Sequence, residues 1–355
     1  MFSPETNQDD EAAGILVVGP AWVGDMVMSQ VLYKRLRHRF PDRPIDVLLP
    51  RVTLPLVSRM AEVSRGVMMD ATHGELRLSY RYGLGRRLSE NGYQDAIVLP
   101  GSLKSALVPA FAGIPRRTGF LGEYRYFLLN DVRFLNEKLL PRMIDRFLVL
   151  ADPPTADPVC AVDDYLPQLM TDADHQAELT ARFSIPTDKS LLALCPGAEF
   201  GEAKRWPADH FANIAKRAVS AGNGVLILGG PGDVKIAGTV VEKCGADPRV
   251  INLTGETTLL DVVDILAFCT SAVCNDSGLM HIAAAVGTPL VAVYGSTTPS
   301  FTPPLDANAT VIAKEMPCRP CFKRTCPLEH MECLRGLKPE QVWPEVDRSL
   351  QVGQR

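Results

Sequence analysis

Short apolar runs that close on a glycine, a proline or a polar turn recur along the chain, and between them the apolar residues fall at helical spacing. Residues 14–19 read Gly-Ile-Leu-Val-Val-Gly, 45–50 Ile-Asp-Val-Leu-Leu-Pro and 95–100 Asp-Ala-Ile-Val-Leu-Pro, with a helical stretch from Asp25 to Phe40 after the first. This alternation predicts βαβ units and a parallel sheet, whose strands are buried on both faces and need crossover helices. The pattern weakens between about 151 and 190, where Asp152, Pro153, Pro154, Asp157, Pro158, Pro186, Thr187 and Asp188 punctuate the chain. A fresh series follows, with strand-like runs at 191–196, 224–229, 272–275 and 290–294 and helical stretches at 207–220 and 259–268. The expected fold is α/β, with two doubly wound, Rossmann-like domains over 1–170 and 171–355 facing a central cleft. Ligands of such sheets bind beyond the carboxyl ends of the strands.

Composition narrows the function classes. The 355 residues are 46% hydrophobic and 22% charged, an ordinary globular balance that excludes disorder. With 37 Lys plus Arg against 41 Asp plus Glu the net charge is −4, which argues against a nucleic-acid partner. Apolar runs fall short of the ~18 residues of a membrane helix. Met1 to Glu11 is polar and acidic, unlike a signal peptide, so a cytoplasmic location is expected. Charge is nevertheless uneven, because residues 51–150 hold 15 Lys plus Arg against 9 Asp plus Glu. Five of the nine cysteines, Cys160, Cys195, Cys244, Cys269 and Cys274, lie among apolar residues, as reduced core thiols do. Cys318-Arg-Pro-Cys321 followed by Cys326 and Cys333, with His330 nearby, opens like a zinc knuckle, but six residues separate the second pair. Zinc and metal-free thiols both stay open, and the expectation is no metal.

The polar turns carry the chemistry. Gly19-Pro-Ala-Trp-Val-Gly24-Asp25-Met26 has the glycine spacing of a phosphate loop but places Asp25 and Met26 where Lys and Ser/Thr belong, and it lacks the G-x-G-x-x-G of a dinucleotide site. A helix N-terminus keeps such a carboxylate ionised, so Asp25 can accept a proton from an alcohol; the plainer alternative is a helix-capping acid. Asn275-Asp276-Ser277-Gly278-Leu279 lies between a strand and an alanine-rich helix, and free amides at that helix start form an anion site. His281 faces either the anion or the core. Leu228-Gly-Gly-Pro-Gly-Asp233 ends a strand in an acid that can hydrogen-bond ribose, or is a plain loop. Pro196-Gly197 leads through Glu199 to Lys204-Arg205-Trp206-Pro207, where Lys204 meets phosphate oxygens or is simply solvated.

Together these segments resemble the heptosyltransferases of lipopolysaccharide core synthesis, glycosyltransferase family 9. The matching residues are 19–26, Gly-Ile-Pro-Arg-Arg-Thr-Gly-Phe at 113–120, Pro-Gly-Ala-Glu-Phe-Gly at 196–201 with Lys-Arg-Trp-Pro at 204–207, and Asn-Asp-Ser-Gly-Leu-Met-His at 275–281, in order across about residues 14–345. The resemblance implies a GT-B architecture with the acceptor on the N-terminal domain and ADP-heptose on the C-terminal one. It implies Asp25 as catalytic base with Lys204 assisting the leaving group. Donor contacts would come from Glu199, Asp233, Asp276, Ser277, Gly278, Leu279 and His281, although the first-heptose enzymes of the family carry Glu where Asp233 stands. The implied reaction moves L-glycero-D-manno-heptose, with inversion, onto the first heptose of the inner core. The acceptor would be a Kdo-heptose lipid A at the cytoplasmic face of the inner membrane, met by a monomer without a cofactor. Lys104, Arg116 and Arg117, the last two read as a turn after Pro115, are the candidates for acceptor contact, Arg being suited to a bidentate grip on carboxylate or phosphate. The rival readings are a first-heptose or later core heptosyltransferase, a non-catalytic nucleotide-sugar binding protein, and a nucleotide-dependent oxidoreductase or epimerase.

Overall fold

The computed structural model describes residues 13–71, 74–154 and 162–352. Cys160, Asp157, Pro158 and the acidic N-terminal stretch lie outside the described residues. The chain divides into two compact units, Met1–Pro167 and Gln168–Arg355.

In the first unit six parallel strands, β1 (Ile15–Val18), β2 (Ile45–Pro50), β3 (Arg65–Met69), β4 (Asp95–Val98), β5 (Arg116–Phe120) and β6 (Asp131–Arg133), lie in the order β3-β2-β1-β4-β5-β6. The second unit repeats the plan with β7 (Leu191–Cys195), β8 (Gly224–Ile227), β9 (Val250–Asn252), β10 (Ser271–Asn275), β11 (Leu290–Tyr294) and β12 (Thr310–Ala313), ordered β12-β11-β10-β7-β8-β9. Each sheet changes winding direction once, between β1 and β4 and between β7 and β10. Chains leaving the two central strands diverge there and open a crevice at their carboxyl ends.

Central strands are the apolar runs seen in the sequence, and all four residues of β1 and all five of β7 and β10 are buried. Strands β3, β5, β6, β9 and β12 lack such runs because each lies toward a sheet edge with a partly exposed face. Arg116 and Arg117 accordingly start strand β5 and do not form a turn. The helix expected over 25–40 is two, Val23–Met28 and Gln30–Arg39, parted at Ser29, whose hydroxyl donates to the Met26 carbonyl at 2.7 Å. Cys195, Cys244, Cys269 and Cys274 are buried and free, with Cys274 paired in register with Cys195 across β10 and β7.

Trp206 anchors the second core. It is fully buried, makes edge contacts with Phe211 at 5.1 Å and His210 at 5.2 Å, and its indole N–H donates to the Leu337 carbonyl at 2.9 Å. Leu194, Ile214, Val273, Val293 and Val342 belong to the same buried cluster. Trp206→Ala removes this volume and strands a buried carbonyl, so the unfolding free energy measured by urea denaturation should fall by about 3–5 kcal/mol.

Candidate active site

The crevice of the second unit gathers the turns singled out in the sequence. Asn275, at the end of β10, is fully buried, and its side-chain amide donates to the carbonyls of Pro196 at 2.8 Å and Gly197 at 3.3 Å while its oxygen accepts from the Trp206 N–H at 2.9 Å. One side chain thus holds the end of β10 against the loop that follows β7. The next residue, Asp276, is 2% exposed and receives the Lys204 ammonium at 2.7 Å together with the hydroxyls of Thr297 and, at 3.4 Å, Thr302. Lys204 is therefore paired and not simply solvated. Ser277 is extended and caps nothing with its side chain, and the helix Gly278–Ala285 begins immediately after it. Its first-turn amides meet no capping side chain, which suits an incoming anion.

His281 lies on the inner side of that helix, 4% exposed, with no hydrogen-bond partner for Nδ1 among the described residues. Burial pushes its pKa down to about 4 against the opposing pull of the Asp276 carboxylate, so the ring is neutral at physiological pH. Asp233 turns inward: Oδ2 accepts from the Gly230 N–H at 3.2 Å, and Oδ1 lies 3.7 Å from Arg205. A side chain at Gly197 would meet this carboxylate at 2.2 Å, so the glycine is what lets the acid reach the end of β7. Glu199 is exposed on the same loop, beside Gly232.

In the first unit Asp25 sits in the first turn of the helix Val23–Met28, just beyond the carboxyl end of β1. The N-cap position belongs to Trp22, and Asp25 is the acid of the helix's first turn. Lys104 follows the carboxyl end of neighbouring β4, in the turn Leu103–Ala106. Arg116 and Arg117 are elsewhere. Both stand at the amino end of β5, Arg116 paired with Asp95, and Arg117 donating to the carbonyls of Leu128 at 2.7 Å and Ile114 at 2.6 Å. The structure does not bring these two arginines to the edge that carries Asp25 and Lys104. Much of the positive charge counted over 51–150 is likewise used within the fold, by Arg65 on Asp46, Arg133 on Asp131 and Arg142 on Asp145.

Cys318, Cys321, Cys326 and Cys333 line one small cavity with His330, Arg319 and Ala203, and all four are free. Among the described residues no group of three or more His, Cys, Asp or Glu is arranged to hold a metal ion.

A model of glycosyltransferase family 9 (heptosyltransferase) matches residues 81–332. The chain belongs to this family. Lipopolysaccharide heptosyltransferase 2 of Escherichia coli K12 is 42% identical over 341 residues, covering 95% of this chain and 98% of the relative, and the Salmonella typhimurium protein of the same name is 44% identical over 303 residues, covering 84% and 87%. The solved structure of the E. coli ADP-heptose lps heptosyltransferase II superposes with a TM-score of 0.86 at 40% identity, covering 96% of this chain and all of that one. An E. coli heptosyltransferase, WaaC, solved with ADP shares the fold at a TM-score of 0.68 and 19% identity, covering 94% of this chain and 99% of that one.

This family 9 glycosyltransferase has the GT-B type of architecture, and polar contacts that the sequence did not single out surround its candidate residues. Thr297 and Thr302 follow β11 and complete the shell of Asp276; the polar run Gly295-Ser-Thr-Thr after an apolar strand was the signal for them. Arg125 is fully buried and donates to the carbonyls of Pro100 at 2.6 Å, Ser102 at 2.9 Å and Phe120 at 2.8 Å, fixing the loops after β4 and β5. Nothing in its sequence surroundings marks it as internal.

The buried His281 generates a pH dependence. An unfolded histidine titrates near 6.5 and the folded one near 4, so between those values the unfolded chain binds more protons. The contribution is complete above pH 6.5 and is lost as pH falls toward 4, on the order of 3 kcal/mol. Chemical denaturation from pH 7 to 4 should show this loss in the wild type, and the loss should be smaller in His281→Gln.

Proposed function

We propose that the chain transfers heptose from ADP-heptose to the first heptose of a lipopolysaccharide inner core. The observation that carries this reading is the 42% identity along nearly the whole length of a lipopolysaccharide heptosyltransferase 2, combined with an acid at the end of β1 and a Lys204–Asp276 pair beside a helix start in the second unit. Both the type II assignment over first-heptose or later core activities and the catalytic reading over a mere binding protein follow from that combination. A protein named lipopolysaccharide heptosyltransferase 1, from Pseudomonas aeruginosa, is 31% identical over 145 residues, covering 39% of this chain.

In this mechanism the acceptor hydroxyl oxygen attacks the anomeric carbon as its proton passes to the Asp25 carboxylate. The bond from that carbon to the diphosphate oxygen breaks with inversion, and its electron pair leaves on ADP. Lys204 and the amides of Ser277, Gly278 and Leu279 oppose the charge that builds on the leaving group. Asp276 positions Lys204, and Thr297 and Thr302 in turn fix Asp276. Asp233 and Glu199 border the nucleoside end of the donor, and His281 braces the turn as a neutral ring. The cation and helix start supply the leaving-group stabilisation without a cofactor.

On the acceptor side the reading places Lys104 near the inner-core acids and withdraws Arg116 and Arg117, whose side chains serve the amino end of β5. The acceptor is anchored in lipid, and the loops after β5 and β6 fit a membrane surface. Leu121 N–H bonds to the Arg133 carbonyl at 2.8 Å, joining the two loops, and they expose Tyr124, Tyr126, Phe127, Phe134 and Leu139. Aromatic side chains of this kind favour the headgroup level of a bilayer. No helix among the described residues is long and apolar enough to cross a membrane, so the association would be peripheral.

Incubating purified core acceptor bearing one heptose with ADP-heptose and this enzyme should add a single heptose, read by mass spectrometry; an unchanged acceptor mass would overturn the assignment. Asp25→Asn should lower transfer by ~10²–10⁴-fold while ADP affinity stays near wild type. Near-normal turnover would remove Asp25 from the base position. Replacing Tyr126 and Phe127 by Ser should reduce cosedimentation with anionic phospholipid vesicles without changing ADP affinity, and unaltered vesicle binding would refute the lipid-surface reading.

A further inference from the structure

Lys204 brings a positive charge to the donor turn, but that charge is already engaged. Its ammonium lies 2.7 Å from Asp276, which is 2% exposed and whose carboxylate cannot be left buried without a cation. Glu199 and Glu202 are exposed on the same loop and oppose an anion. A nucleoside diphosphate adds at least two more negative charges, and a cation not bound to a protein carboxylate would oppose them more strongly than the helix start and the engaged Lys204 alone.

One such cation stands beside it. Lys204 Nζ lies 5.1 Å from the centroid of the Phe200 ring, and the Arg324 guanidinium carbon lies 5.3 Å from the same centroid. Arg324 is exposed, and among the described residues its side chain meets no carboxylate. Its backbone, by contrast, is held. The Arg324 carbonyl accepts from the Ala203 N–H at 3.0 Å, directly before Lys204, and approaches Gly201 so closely that a side chain there would come within 2.5 Å of it. Cys321 and Phe322 donate to the Ser296 carbonyl at 3.0 and 2.8 Å, and Ser296 N–H donates to Ala203 at 3.1 Å. The irregular stretch between β12 and the helix Glu332–Arg335 is thereby joined to the turns after β7 and β11.

We propose that Arg324 is a second cation for the diphosphate of the nucleotide-sugar, held beside Lys204 by the Phe200 ring and by the backbone bonds of its loop. The proposal rests on the reading that this cluster binds an ADP-sugar. It gives the cysteine-bearing loop a role in the reaction, which is to carry a guanidinium to the donor turn. Lys204, oriented by Asp276, and Arg324, free to grip two phosphate oxygens, then act as unequal partners.

Calorimetric titration of the full-length protein with ADP and with adenosine tests this. Arg324→Ala should weaken ADP roughly tenfold, one charge-assisted contact, and leave adenosine unchanged. Arg324→Lys should recover part of the loss, and Lys323→Ala, an exposed cation one residue away, should change neither ligand. If Arg324→Ala binds ADP like the wild type while Lys204→Ala does not, Arg324 is no part of the site and the donor reading stands. Equal losses for ADP and adenosine would make Arg324 a structural residue and overturn the proposal. Failure of the wild type to bind ADP would remove the donor reading and the proposal with it.

Discussion

The buried amide of Asn275 is the interaction on which the second unit's site depends. Parallel strands that part company at a winding switch leave backbone groups of the flanking loops facing a crevice, and buried groups of this kind must find partners. Asn275 satisfies three of them at once, two carbonyls after β7 and the N–H of Trp206. Trp206 is thereby seated in the core, and the loop between Gly197 and Trp206 is closed at both ends. Lys204 lies on that closed loop, and Asp276 is the residue after Asn275. The ion pair between them is therefore set by a hydrogen-bonding amide that touches neither.

The first unit solves the same geometric problem with different chemistry. Its sheet has the same strand order, but the turn after β1 carries Asp25 on a short helix, and the loops after β4 and β5 are tied by an arginine. An acid stands at one switch point, and a lysine paired with a buried aspartate stands at the other.

The sequence shows most of this architecture where burial is complete. β1, β2, β4, β7, β8, β10 and β11 stand out because a strand covered on both faces is mostly apolar, with an occasional paired polar residue such as Asp46 or Asp95. β5, which opens on two arginines, could not stand out, and so Arg116 and Arg117 read as a turn until their backbone pairing with β4 placed them at the amino end of the sheet. Site residues followed a similar rule. Asp25, Lys204, Asp276 and His281 lie next to visible strand ends, and the structure gathers the last three. Arg125 and Arg324 do not, because what matters for each is a contact made at a distance in sequence, carbonyls of residues 100 and 102 for one and the ring of Phe200 for the other.

Arg125 also inverts its loop. The charged residue is inside, while Tyr124 and Tyr126 on either side of it are 85% and 53% exposed. Because the guanidinium bonds to carbonyls at the ends of two strands, the loop holds its shape from within and needs no outside partner to order it. Whatever meets those aromatic rings finds them already placed, and the entropy that a floppy loop would surrender on contact is surrendered when the domain folds. Contact at this edge therefore surrenders little further loop entropy and meets the aromatic rings in one arrangement.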